Sequence, residues 1–262
     1  MLGMPTIVIT SRDNPHIKAA ARLRDAAGQR GAPGKLFLEG FRLCADALSS
    51  GFAPLELYLT PQAREKYPAA PLEQAAAQVF EITESVAQKL ADTQHPQGVF
   101  AICEKQETSG EKQDFFRPKG KYLALENLQD PGNLGAAART AEALGLNGIL
   151  CAGGCGIYHP KALRASMGAL LRLPMMQTDD LPAALRASGL PCYAAVPGRD
   201  ALPVHQCGFS QGAVIVIGSE AAGLTGETLA ACERKITIPM PGRAESLNAA
   251  AAAAILMWEM IK

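Results

Sequence analysis

Two α/β units in tandem, the second built on a parallel sheet, are what the sequence predicts. Short apolar runs alternate with amphipathic stretches along the whole chain. Ala213-Val-Ile-Val-Ile217 is a continuous run rich in β-branched residues, as in a central parallel strand covered on both faces. Residues 105–120 give up apolar periodicity for charge, which marks a linker between a unit at 1–104 and a unit at 121–262. A chain of 262 residues can bury one large core or two modest ones. With 48% hydrophobic and 19% charged residues, the composition is that of a globular protein.

In the first unit, Thr6-Ile-Val-Ile-Thr10 reads as a short strand, and Ser11-Arg-Asp-Asn-Pro15 as a turn that starts a helix from His16. Ile17, Ala20, Ala21 and Leu23 form its inner face. Gly28 to Gly34 breaks the helix, Leu36-Phe-Leu38 is a strand, and a helix follows through Ala47. Strands at 55–59, 79–81 and 98–102 then alternate with helices near 61–66, 71–77 and 83–91. Up to Arg42 the chain carries seven Lys/Arg (12, 18, 22, 24, 30, 35, 42) against three Asp/Glu (13, 25, 39), a net of plus four. This segment reads either as an ordinary solvated helix face or as a grip for phosphates. The formal charge of the whole chain is zero, so bulk basicity does not point to nucleic acid.

The second unit opens with the strand Tyr122–Leu125, which runs into Glu126-Asn-Leu-Gln-Asp-Pro-Gly-Asn-Leu-Gly135. Asn133 is the expected cap of a helix from Leu134 to Leu144, ended by Gly145. Arg139 is the one long cation in that helix, and it either reaches back towards Asn133 or pairs with Glu142 on the surface. Gly148–Ala152 is a buried strand followed by the cluster Gly153-Gly-Cys-Gly156, which lacks GxGxxG spacing. Cys151, Cys155 and His159 lack a fourth ligand and the paired spacing of a metal site. A helix from Lys161 to Gly168, a strand from Leu170 to Met176, a helix at 181–187 and a strand at 192–196 follow.

Gly218-Ser-Glu-Ala-Ala-Gly-Leu224 comes directly after the apolar run at 213–217. Glu220 sits between glycines, either in a tight turn with a solvated acid or where backbone approaches a ligand. The last strand, around Ile236 and Ile238, is ended by Pro239, Pro241 and Gly242. Ser246 or Asn248 then caps a helix that is apolar nearly all round and so must be buried in a core or an interface. Ligands of α/β sheets bind at the carboxyl ends of strands, and three polar loops fall there, around Asn133, Glu220 and Ser246.

Those three stretches, in this order, resemble the signature motifs of the SpoU (TrmH) family of RNA ribose methyltransferases. Asn127 through Asp130-Pro-Gly-Asn-Leu-Gly135 to Arg139 is similar to the first, Ile217–Leu224 to the second, and Ile238–Asn248 to the third. Gly34-Lys-Leu-Phe-Leu-Glu-Gly-Phe-Arg42 and Gln97-Gly-Val-Phe-Ala101 resemble the L30e-like substrate-binding domain attached to many such enzymes. The resemblance implies a five- or six-stranded parallel sheet of the SPOUT type whose C-terminal segment threads a deep trefoil knot. It also implies a homodimer in which the partner chain completes each site, and S-adenosylmethionine as cofactor. The uninterrupted alanines after Asn248 depart from the larger aliphatic and serine residues expected there.

By that resemblance, Arg139 contacts the target nucleotide's phosphate and helps to deprotonate the 2′-hydroxyl. Asn133 holds Arg139 or the ribose, Glu220 orients the catalytic group, and Ser246 and Asn248 order the site by hydrogen bonds. Gly218, Ile238, Met240, Ser246 and Leu247 are the expected cofactor contacts, and Arg22, Arg30, Lys35, Arg42 and Arg139 the expected RNA contacts. The motifs contain neither His nor Cys, which argues against covalent catalysis.

The two-domain layout resembles family members that act on large-subunit ribosomal RNA more than single-domain tRNA enzymes, and by that analogy ribosomal RNA is the expected substrate. Two other readings are a non-catalytic RNA-binding protein with a decayed pocket and a nucleotide-dependent oxidoreductase. Seven cysteines without a CxxC pair, and an N-terminus without a basic-then-apolar signal, suggest a reduced cytoplasmic protein. No uncharged apolar run reaches the length of a membrane span, so no membrane partner is expected.

Overall fold

The computed structural model describes residues 6–26, 34–105, 115–198 and 200–262. By internal packing the chain divides into two compact units, Met1–Glu107 with Tyr158–Arg164, and Thr108–Ile157 with Ala165–Lys262.

The first unit contains β1 (Ile7–Ile9), α1 (Pro15–Ala26), β2 (Lys35–Glu39), α2 (Phe41–Ser49), β3 (Pro54–Leu59), α3 (Pro61–Lys66), α4 (Ala70–Ala75), β4 (Gln78–Ile82), α5 (Glu84–Leu90) and β5 (Val99–Glu104). Its sheet has the order β1-β4-β3-β5-β2, with β5 antiparallel to both neighbours. Ile17, Phe37, Tyr58, Phe80, Val86 and Phe100 share one core, so α1 and α5 cover one face. The antiparallel pairing of Leu36 with Cys103 and Leu38 with Ala101 brings together the two stretches singled out in this half. Gln97 Oε1 accepts from the Phe41 amide at 2.9 Å, and the buried Glu39 accepts from the Asp92 amide at 2.9 Å and from the Thr93 hydroxyl. Those contacts tie the start of α2 and the loop after α5 to the sheet.

The second unit contains β6 (Lys121–Glu126), α6 (Pro131–Ala143), β7 (Gly148–Ala152), α8 (Ala169–Arg172), β8 (Met175–Thr178), α9 (Leu181–Ala187), β9 (Cys192–Ala195), β10 (Leu202–Pro203), β11 (Ala213–Ile217), α10 (Gly226–Ala231), β12 (Arg234–Thr237) and α11 (Ala249–Ile261); α7 (Pro160–Ala165), which lies between β7 and α8 in sequence, belongs to the first unit up to Arg164. Its sheet runs β10-β12-β9-β11-β6-β7-β8 among the described residues, parallel at every pairing. That is seven strands where five or six are expected; a two-residue edge strand, β10, is one of them. β11 is fully buried at the centre, as its β-branched run predicts. Tyr122, Ala124, Leu150, Val214 and Val216 pack with Leu181 and Leu185 of α9 on one face. Helix α11 packs on α6, β6 and β11.

Some expectations need correction. Asp130, not Asn133, caps α6: its carboxylate accepts from the Gly132 amide at 2.9 Å, and Pro131 takes the first helical position. An Asp followed by Pro is a stronger start signal than an Asn two residues further on, because proline's fixed φ suits the first turn and its missing N–H costs nothing there. Leu170 to Arg172 are helical, with only Met175–Thr178 forming strand. Gly168, at φ +82, caps that short helix and separates it from α7. Arg139 does not pair with Glu142, whose carboxylate is held by Arg172. Phe115 and Phe116 pack on Tyr122, whose hydroxyl donates to the Phe115 carbonyl at 2.9 Å, so ordered packing begins ahead of β6. The expected linker otherwise lies mostly outside the described residues, as does Arg30.

The glycine cluster after β7 has a packing explanation. A side chain at Gly154, which sits at φ +75, would place its Cβ 2.2 Å from the Leu128 carbonyl oxygen. The Asn127 side chain accepts from the Gly154 amide at 3.1 Å. These glycines let the loop after β7 lie against the loop after β6, and that close approach accounts for the cluster without a nucleotide.

Candidate active site

Three loops at the carboxyl ends of β6, β11 and β12 supply the site. The first follows β6, where the buried Glu126 accepts from the Thr225 amide and hydroxyl, both at 2.8 Å, and from the Thr228 hydroxyl at 2.5 Å. This carboxylate therefore ties the end of β6 to the start of α10. Asp130 then sets the first turn of α6, which places Asn133 at its mouth and Arg139 nearly two turns on.

The second loop is a tight turn from Ser219 to Gly223, closed by backbone hydrogen bonds of 3.2 and 3.0 Å and by the Ser219 hydroxyl accepting from the Ala222 amide at 3.0 Å. It carries Glu220 at its tip. Gly218 is obligatory here, because a Cβ would lie 2.2 Å from the Gly223 carbonyl carbon and 2.5 Å from the Leu224 nitrogen. The third loop runs from Ile238 to Asn248, whose side-chain oxygen accepts from the Ala250 and Ala251 amides and so caps α11.

One hydrogen-bonded relay joins all three loops. Asn133 Nδ2 donates to Glu220 Oε1 at 2.8 Å, and Asn248 Nδ2 donates to Asn133 Oδ1 at 2.9 Å. The polarity of this relay is fixed from both ends. An ionised carboxylate can only accept, so Asn133 must turn its amide nitrogen to Glu220 and its oxygen to Asn248. Helix amides can only donate, so Asn248 must keep its oxygen for α11 and offer its nitrogen to Asn133.

Beside the relay lies a cavity of about 540 Å³, within the range of small-molecule sites. All five expected cofactor contacts, Gly218, Ile238, Met240, Ser246 and Leu247, line it, and so does Glu220. Ala195, Val196 and Pro197 after β9 form a further wall that the sequence did not reveal, because that strand end carries no polar signal. Ala249 and Ala252 also line the cavity, which gives the alanine run a role: small side chains leave the pocket open where α11 begins. Ser246 makes no hydrogen bond among the described residues and borders the cavity instead. Arg139 is exposed, stands outside the cavity wall and the relay, and has no hydrogen-bond or ion-pair partner among the described residues. In the first unit, Arg22, Lys35 and Arg42 are exposed.

Three of the thiols are poor nucleophiles. Burial pushes Cys103 and Cys232 up to about 12 and Cys192 up to about 11, so they stay protonated and inert near neutral pH.

Residues 120–258, more than half of the chain, match the SpoU rRNA Methylase family. The chain belongs to that family. Residues 14–101 match the MRM3-like substrate binding domain. Among whole-length relatives of this SpoU methylase, a Synechocystis protein named as an uncharacterized tRNA/rRNA methyltransferase, slr1673, is 33% identical over 96% of this chain and 92% of its own. The Bacillus subtilis 23S rRNA (guanosine(2553)-2′-O)-methyltransferase RlmP is 29% identical, covering 96% of this chain and 98% of its own. The AdoMet-bound rRNA methyltransferase of Sinorhizobium meliloti superposes with a TM-score of 0.84 at 30% identity, covering 97% of each chain. The α/β fold with its parallel sheet is thus that of SPOUT methyltransferases.

The pocket of this SpoU protein suits S-adenosylmethionine. Ile236, Ile238, Leu247 and Leu256 offer apolar surface for a flat base, while Thr237 and Ser246 add hydroxyls. Glu220 and Glu245 place carboxylates at a cavity that would receive a sulfonium cation.

Replacing Asn248 separates its two jobs. Asn248→Ala loses the cap, with an expected cost of about 1 kcal/mol and a Tm lower by about 2–4 °C. Asn248→Asp keeps the cap, since Asp and Asn cap equally well, but turns an oxygen towards Asn133 Oδ1 and breaks the relay. Thermal unfolding and turnover of the two variants should therefore diverge: only the alanine variant loses Tm, and both lose turnover. Wild-type turnover in Asn248→Asp would leave the relay without a role.

Proposed function

We propose that this protein methylates a ribose 2′-hydroxyl of large-subunit ribosomal RNA, working as a homodimer in the cytoplasm. The observation that carries the reading is the relay from Glu220 through Asn133 to Asn248 at the edge of the cavity, with Arg139, on the same helix as Asn133, left without a partner among the described residues. A decayed pocket would have no reason to keep such a relay satisfied throughout. The two whole-length relatives support RNA methylation, one by a 23S rRNA name and the other by a name that covers both tRNA and rRNA.

S-adenosylmethionine, when bound, supplies a methyl group already activated by its sulfonium. The remaining work falls to the chain's own residues. The three loops shape a pocket that holds the cofactor at the sheet's carboxyl edge, and the relay keeps them in register. Arg139 binds the phosphate of the target nucleotide with its guanidinium, a donor fork suited to phosphate oxygens. A guanidinium gives up a proton reluctantly, so Arg139 aids deprotonation chiefly by placing positive charge where the 2′-oxygen becomes negative. Arg22, Lys35 and Arg42 in the first unit grip more distant phosphates.

A second copy of the chain covers α11. Ile255 and Trp258 are 40% and 56% exposed on this otherwise apolar helix, and Leu247 is 38% exposed just ahead of it. Burial of such a surface favours an obligate interface. The family's trefoil knot belongs to the same reading, with the C-terminal segment as the part that would be threaded.

Labelled methyl transfer to ribosomal RNA and to tRNA, both from cells lacking the protein, tests the substrate. Label is expected in the ribosomal pool; label confined to tRNA overturns the assignment.

A further inference from the structure

We propose that Arg172 is a positioning residue for methyl transfer: it occupies Glu142 and thereby keeps Arg139 free for RNA. The inference rests on the role given to Arg139 above. Arg139 and Glu142 stand three residues apart on α6, a spacing at which side chains are neighbours and opposite charges attract. The structure resolves the competition differently. Arg172, at the end of α8, meets both carboxylate oxygens of Glu142, Nε to Oε1 at short range and Nη2 to Oε2 at 2.8 Å. That two-pronged match of guanidinium and carboxylate is the strongest arrangement available to such a pair. Nη2 of Arg172 also donates to the Met167 carbonyl at 3.1 Å, in the turn before α8, so the cation is anchored from two sides.

The consequence for Arg139 is electrostatic. A carboxylate one turn away with no counter-charge would draw the guanidinium into a surface pair and would repel an approaching phosphate. With Arg172 in place, Glu142 is satisfied on both oxygens and its charge is matched locally. Its carboxyl is held below the usual glutamate range, chiefly by the hydrogen bond from Arg172, so it remains a stable ionised partner for that residue. Arg139 is left with no partner among the described residues.

The test uses three variants of the full chain, Arg172→Gln, Glu142→Gln and the double variant, each assayed for methyl transfer, RNA KM, cofactor affinity and Tm. Exposed ion pairs are weak, so Arg172→Gln is expected to lower kcat/KM by about fivefold, mainly through RNA KM, with cofactor affinity unchanged. The double variant lacks the bridge yet should recover to within about twofold of wild type, because the competing carboxylate is gone. Its Tm should stay as low as that of Arg172→Gln. Recovery of activity without recovery of Tm is what a purely structural brace between α6 and α8 cannot produce. A double variant as impaired as Arg172→Gln overturns the proposal. Arg139→Ala serves as the separate control: if it turns over like wild type, the role of Arg139 fails first, whereas an inactive Arg139→Ala with no rescue in the double variant overturns the Arg172 inference alone.

Discussion

Arg139→Ala should lower kcat by about 10²- to 10³-fold, the range over which a placed group stabilising developing negative charge contributes, and leave the affinity for S-adenosylmethionine within about twofold of wild type. The two halves of that expectation come from separate features. Arg139 lies on the exposed side of α6, outside the wall of the cavity, so its removal takes nothing from the cofactor's surroundings. Nor does it strip a hydrogen bond from the relay, since Asn133 is bound to Glu220 and Asn248 instead. What is lost is the one cation of the helix that carries Asn133 and starts beside Glu220. Calorimetric cofactor titration and single-turnover methyl transfer on the same preparation give both numbers. Parallel loss of binding and turnover would show that Arg139 supports the fold of the site rather than the chemistry. Arg139→Lys is a useful companion, because lysine keeps the charge and loses the fork.

Gly218→Ala should act in the opposite sense, losing cofactor affinity first. The new methyl would lie 2.2 Å from backbone of Gly223, and neighbouring backbone cannot move aside as a flexible side chain would. Overpacking of this kind costs about 1–3 kcal/mol. The strain falls on the turn that both lines the cavity and aims Glu220 at Asn133. Cofactor affinity should drop by about tenfold to a hundredfold, with turnover at saturating cofactor falling as the relay is disturbed. Unchanged affinity in a folded Gly218→Ala protein would mean that the turn gives way without touching the pocket.

Much of this site was legible in the sequence because one rule did most of the selection. Polar loops following apolar strands of an α/β sheet cluster at one edge, and that rule, with the family resemblance, picked out Glu220, Asn133 and Asn248, which the structure joins by hydrogen bonds. The rule also explains what was missed. The wall formed by Ala195, Val196 and Pro197 sits at the same edge, but nothing in an apolar strand end distinguishes a pocket lining from ordinary core. Arg172 was invisible for a different reason. Its carboxylate partner lies 30 residues earlier in the chain, and the local i,i+3 rule pointed Glu142 at Arg139. Local rules also misplaced the start of α6 and turned Leu170–Arg172 into strand. An apolar triplet has no period to read, and the left-handed Gly168 that begins the short helix there looks from sequence like the end of the previous one.

The central claim is that this site places a methyl group on a ribose oxygen, and the position of the methyl in the RNA product tests it most directly. RNA labelled by the protein from S-adenosylmethionine is hydrolysed in alkali, which cleaves every linkage whose 2′-hydroxyl is free. The label is expected to survive in an alkali-stable dinucleotide, formed at least about a hundredfold more slowly by Arg139→Ala. Label released with mononucleotides, on a base instead of a sugar, would contradict the claim.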